Sequence, residues 1–201
     1  MPLCMTRRLK FIHIPKTGGT AVTQALKLDF TGYHDAWSVY PPETAHFISF
    51  AVVRDPLRRF LSQYNFGMSD RTFWHIKGTA NEFGDYQVMK EMSLDEILAD
   101  LASPWKTRKL KHSGWWPQSW FICDQQDRVR MHYLLRQEEL QDDLNRMLCE
   151  LGYPMIRLDQ INSSEPRLGH QAIQERPDLL EQIQALYQKD YELLGYAPAT
   201  V

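Results

Sequence analysis

Cysteine is scarce and without pattern. Cys4, Cys123 and Cys149 fall at unrelated spacings in 201 residues, which fits neither a disulfide framework nor a cysteine-based metal site and points to a reducing compartment. Long apolar runs are missing too, and none approaches the length of a membrane span. The opening Met-Pro-Leu-Cys-Met-Thr-Arg-Arg has basic residues with no apolar stretch behind them, so it does not read as a secretory signal. Positive charge is not in excess: a formal net charge of −2 argues against a whole-protein nucleic-acid footprint. Repeats, low-complexity tracts and long linkers are also absent. The expectation is therefore a single domain over residues 1–201, cytoplasmic, with no membrane span, no metal and no nucleic-acid partner. What is present is an ordinary globular composition, 43% hydrophobic and 24% charged, in a chain long enough to bury a core.

The patterning alternates strand and helix. Leu9–Ile14 reads as a strand, and Ala21–Leu28 as a short helix with Ala21, Val22, Ala25 and Leu26 at helical spacing. The apolar run Phe47–Val53 has the character of a buried parallel strand. It ends in Arg54-Asp55-Pro56, where Asp55 can cap a helix and Pro56 suits its first position. Residues 67–91 have no clean period and read as an irregular insertion. Ser93-Leu94-Asp95-Glu96 is a capping-box signature opening a helix to about Leu101. Val129–Leu135 reads as another strand, and the apolar stripe from Leu140 to Leu151 as a helix stopped by Gly152. A last helix is expected from Pro177 to Leu194. Such alternation favours a mainly parallel sheet covered by helices.

Chemistry enters after the first strand. Lys16-Thr17-Gly18-Gly19-Thr20 joins a strand to a helix. Glycines there allow backbone N–H groups to approach an oxyanion, and the helix start adds its positive dipole end. Lys16 supplies a mobile cation, and Thr17 and Thr20 supply hydroxyls. The loop is not a Walker A sequence, because Lys16 precedes the glycines. Arg54 stands at the carboxyl end of the second strand, where ligands bind in open α/β sheets, and its planar fork suits a phosphate. A pairing with Asp55 would serve it equally well.

Together these segments resemble the family-2 sulfotransferases, the group of heparan sulfate 2-O-sulfotransferase and the HNK-1-type carbohydrate enzymes. His13-Ile14-Pro15-Lys16-Thr17-Gly18-Gly19-Thr20 is similar to their 5′-phosphosulfate loop. Val53-Arg54-Asp55-Pro56-Leu57-Arg58-Arg59-Phe60-Leu61-Ser62-Gln63-Tyr64 is similar to their 3′-phosphate motif. Weaker likeness continues through Trp116–Ser119, Leu135–Leu140, Asn162–Ser164 with Arg167, and Tyr191–Tyr196. The resemblance implies an α/β, P-loop-like three-layer fold with a mainly parallel sheet flanked by helices. It also implies the donor 3′-phosphoadenosine 5′-phosphosulfate, with no metal. Lys16, Thr17, Gly18, Gly19 and Thr20 would hold its 5′ end, Arg54 and Ser62 its 3′-phosphate, and a later loop with Ser164 and Arg167 would close over it. Arg59 also matches the motif, but its spacing suits a structural ion pair equally.

Sulfuryl transfer relies on in-line placement and charge stabilisation. Lys16 is the candidate for the leaving oxygen, and a histidine with an ordinary pKa of about 6.5 is the natural base for an acceptor hydroxyl. His34 occupies the interval where the heparan sulfate enzyme carries its base, so it is the expected one, with His46 and His112 as competitors. His13 reads as a core or supporting residue. Lys106–His112 is a local basic run followed by Trp115, Trp116 and Trp120, suited to an anionic or sugar acceptor or, as readily, to a solvated face and core. The sequence looks like a compact bacterial member acting on a hydroxyl of a small molecule or glycan. A P-loop kinase or NTPase, and a non-catalytic phosphoadenosine-nucleotide-binding protein, are the alternatives.

Overall fold

The computed structural model describes residues 2–29, 34–69, 85–159 and 168–200. The chain divides into two compact units, Met1–Asp55 with Pro117–Ser163, and Pro56–Trp116 with Ser164–Val201.

The first unit is α/β. Its four-stranded sheet runs in sequence order: β1 (Leu3–Cys4), β2 (Leu9–Ile12), β3 (Ile48–Val53) and β4 (Tyr133–Arg136). β1 pairs antiparallel with β2, whereas β2–β3 and β3–β4 are parallel. The apolar runs dictate the inner strands: five of the six β3 residues are buried, as a strand covered on both faces requires. Leu9 and Phe11 of β2, Phe50 and Val52 of β3, and Leu135 of β4 share one face by strand alternation. They form one core with Val22 and Leu26 and with Leu144, Met147 and Leu148, contributed by or just after α1 (Gly19–Ala25) and by α6 (Leu140–Glu150). Phe11 and Phe50, opposed in register, stack at 4.8 Å.

The second unit is helical: α2 (Pro56–Met68), α3 (Asp85–Lys90), α4 (Leu94–Ala102), α7 (His170–Gln174), α8 (Pro177–Leu186) and α9 (Gln188–Leu194). Their apolar faces bury Leu57, Phe60, Tyr86, Ile97, Leu180 and Ile183 together. The expected capping box is present, with Ser93 and Glu96 satisfying each other's backbone N–H groups. A short α5 (Gln118–Ile122) belongs to the first unit.

Several expected elements differ. The strand expected at Val129–Leu135 begins at Tyr133, because Val129 instead makes an isolated bridge to Cys123. The helix expected from Pro177 to Leu194 is two helices, broken at Tyr187 (φ −118°, ψ 20°), whose hydroxyl donates to the Trp115 carbonyl at 3.0 Å. Within the segment read as irregular, residues 67 and 68 end α2 and residues 85–90 are helical; residues 70–84 lie outside the described residues.

Candidate active site

The strand-to-helix loop after β2 is shaped by its backbone. Lys16 has φ +69° and Gly18 φ +86°. The left-handed region is easy for glycine and costly for lysine, so the turn needs bracing. Thr17 provides one brace: its buried hydroxyl donates to the Ile14 carbonyl at 3.0 Å. That proton is committed inside the loop, so the hydroxyl of Thr17 holds the turn, while Thr20 is exposed. Gly18 packs on the 137–140 segment, where an added Cβ would lie 3.3 Å from Leu140. Gly19 is needed for a different reason. A Cβ there would come within 2.1 Å of the His13 ring, so only glycine lets α1 start against that histidine. The helix that follows has seven residues, and the cationic character of the site rests on side chains.

Arg54 follows the last β3 residue, and its Nη1 donates to the Lys16 carbonyl at 3.2 Å. Two loops that are 38 residues apart in sequence are thereby tied together. Burial and the Arg54 charge draw the Lys16 ammonium from its ordinary 10.5 down to about 8. Two side chains hold the turn after β3. Gln118 bonds both backbone groups of Arg54, and Glu138 accepts from the Asp55 N–H at 2.9 Å. The sequence pattern marks neither Gln118 nor Glu138 as a site residue. A buried amide has no spacing signature, and the only signal was that both lie in weakly family-like stretches.

His13 and His34 form the third part. His13 is buried, stacks on Phe11 at 5.4 Å and meets the His34 ring edge-on at 4.6 Å. His34 Nδ1 lies 2.7 Å from the His13 carbonyl oxygen. A carbonyl only accepts, so Nδ1 carries the hydrogen and the lone pair of the neutral ring sits on Nε2. Burial lowers the His34 pKa below its usual value, opposed by the bond to the His13 carbonyl and by Asp35 and reinforced by Lys16. His13 is held well below its usual range by burial and by His34.

The first unit thus brings together Lys16, Thr17, Gly18, Gly19, Thr20, Arg54 and His34. Ser62 lies on α2 in the second unit, half-buried. Ser164 and Arg167, with Asn162 and Ser163, lie outside the described residues. Of the competing histidines, His46 is exposed just before the amino end of β3, its ring against Phe47. His112 uses Nδ1 to accept from the Gly114 N–H at 3.0 Å, with the Tyr86 hydroxyl at 3.3 Å. Arg59 is buried, donating to the carbonyls of Gly114 (3.1 Å) and Trp116, with the Tyr187 ring 5.5 Å away. Trp115 is a core residue, whereas Trp120 and Trp105 are about half exposed. Arg108 and Lys111 lie 5.9 and 6.0 Å from the Trp105 ring centre.

Among the described residues no group of acidic, histidine or cysteine side chains is arranged to hold a metal ion, and no helix is long and apolar enough to cross a membrane. No curated protein and no solved structure matches the chain. The family model described as "Sulfotransferase family" (Sulfotransfer_2) matches residues 3–197. That span takes in the loop after β2, the turn after β3 and both units, and the chain belongs to the sulfotransferase family.

Proposed function

We propose that the chain, acting over residues 1–201 as one catalytic domain, moves a sulfuryl group from 3′-phosphoadenosine 5′-phosphosulfate to an acceptor hydroxyl, with His34 as general base. The observation that carries this reading is the bond between His34 Nδ1 and the His13 carbonyl. It puts the lone pair of the neutral ring on Nε2, near enough to Lys16 for that charge to act on the ring. The chain's own charges suit such a donor: Lys16 and Arg54 stand close enough for Arg54 to depress the lysine's pKa, and a phosphate or sulfate group relieves that repulsion. When bound, the donor supplies the sulfuryl group on a bridging oxygen that gains negative charge as its bond to sulfur breaks.

Lys16 offers its ammonium to that charge, and at neutral pH a group titrating near 8 is still mostly protonated. In this proposal Arg54 and Ser62 bind the 3′-phosphate, Lys16 through Thr20 hold the 5′ end, and Ser164 and Arg167 also bind the donor. His34, neutral at pH 7 because burial lowers its pKa, takes the acceptor proton on Nε2. The His13 carbonyl and Asp35 then stabilise the imidazolium, since both favour the charged ring. The proposed acceptor is a hydroxyl-bearing small molecule or glycan, and the protein is proposed to work in the cytoplasm.

Replacing His34 tests the reading. His34→Ala should bind 3′-phosphoadenosine 5′-phosphate nearly as the parent does, while labelled-sulfate transfer to a panel of glycans, phenols and lipids drops at least about a hundredfold. Unchanged turnover removes His34 from the chemistry. Failure of the parent protein to bind the nucleotide removes the donor.

A further inference from the structure

Gln118 is fully buried, and both ends of its amide bond the backbone of Arg54. Its Oε1 accepts from the Arg54 N–H at 2.9 Å, and its Nε2 donates to the Arg54 carbonyl at 2.7 Å. The backbone fixes the orientation of the amide, because an N–H can only donate and a C=O can only accept. The ladder between β3 and β4 ends at Val53 and Arg136. One residue later, where no strand partner remains in that register, the Gln118 side chain supplies the donor and acceptor that a strand would have supplied.

The residue held this way is the one whose guanidinium reaches the Lys16 carbonyl. Lys16 in turn sits in the unfavourable left-handed region. A shift of the Arg54 backbone would move the guanidinium and release the carbonyl that keeps Lys16 in place. We propose that Gln118 is a positioning residue for the anion site: it fixes the backbone of Arg54 so that one guanidinium both faces the bound anion and fastens the lysine loop. The proposal rests on the donor-binding reading above, in which Arg54 and Lys16 grip the two ends of a phosphoadenosine nucleotide.

The test is a double-mutant cycle read by calorimetry with 3′-phosphoadenosine 5′-phosphate. Gln118→Met keeps the side-chain volume and removes both bonds, whereas Gln118→Asn keeps the amide but is one methylene too short to reach. Either variant should bind the nucleotide roughly tenfold more weakly than the parent, the scale of the ordering cost that an unfastened Arg54 side chain meets on binding. In an Arg54→Ala background the same substitutions should change affinity less than about twofold, because the group being positioned is gone. Gln118 variants that match the parent, or that weaken binding equally with and without the Arg54 side chain, overturn the proposal. A parent protein that does not bind the nucleotide fails the underlying reading instead, so the two failures are distinguishable. Urea midpoints read alongside separate positioning from stability, since a purely structural role lowers the midpoint and leaves the affinity of the folded protein unchanged.

Discussion

Arg54 and Arg59 belong to one sequence motif and end up with opposite jobs. Arg54, in the first unit, is half-buried at a strand end, bonded to the Lys16 carbonyl and close enough to depress the lysine's pKa. Arg59, in the second unit, is buried on α2, where the carbonyls of Gly114 and Trp116 and the face of Tyr187 surround its guanidinium. A guanidinium already facing carbonyl oxygens and an aromatic face gains little from an added anion. One set beside another cation gains a great deal. Arg59 is a fastener for the 113–116 turn, whereas Arg54 is the one proposed to bind a ligand.

Breaking each arginine separately gives the sharpest contrast. Arg59→Ala should cost about 3–5 kcal/mol in urea unfolding, because the carbonyls it serves are left buried without their donor. A loss under about 1 kcal/mol would mean that the turn holds without it. Arg54→Ala should lower the urea midpoint less than Arg59→Ala does and weaken 3′-phosphoadenosine 5′-phosphate binding by about a hundredfold. Equal effects of the two substitutions on stability and on binding would erase the distinction.

The smallest and most diagnostic effect is on pH. Lys16 titrates near 8 in the free protein, and a bound anion raises that value. Nucleotide affinity should therefore hold below pH 8 and fall as pH rises past it, by up to about tenfold per unit. The sign for stability is opposite. The folded pKa lies below the unfolded 10.5, so between about 8 and 10.5 the unfolded chain keeps the proton that the folded chain has lost, and stability rises with pH there. Lys16→Met should flatten both trends, by roughly 1–2 kcal/mol in the stability arm after allowing for partial solvent screening.

The parts of the molecule legible in the sequence are those that local pattern determines. The apolar runs located β2 and β3, the Ser93–Glu96 box marked its helix, and the Lys16–Thr20 loop followed from a strand meeting glycines. What local pattern does not determine is decided by distant partners. β1 is two residues long and exists because β2 offers an edge. The C-terminal helix breaks at Tyr187, whose hydroxyl is drawn to Trp115, 72 residues away. Within the site, the bond from His34 to the His13 carbonyl spans 21 residues and that from Gln118 to Arg54 spans 64. No periodicity records such meetings. The ambiguity over Arg59 was of the same kind, since spacing along α2 cannot tell a phosphate from two backbone carbonyls.

The order of segments along the chain has a consequence for synthesis. β3 is finished at Val53, but the strand that covers its second edge begins at Tyr133, with all of residues 56–116 made in between. During translation the growing chain therefore carries an apolar parallel strand with a bare row of N–H and C=O groups on one side, the kind of edge that recruits other chains. Closing it means bringing together ends that lie far apart, an entropic cost that grows slowly with length but delays the event. β4 is thus the segment that covers the second edge of β3 and takes the edge position in its place. A chain that stops short of Tyr133 leaves the ribosome with an adhesive edge open.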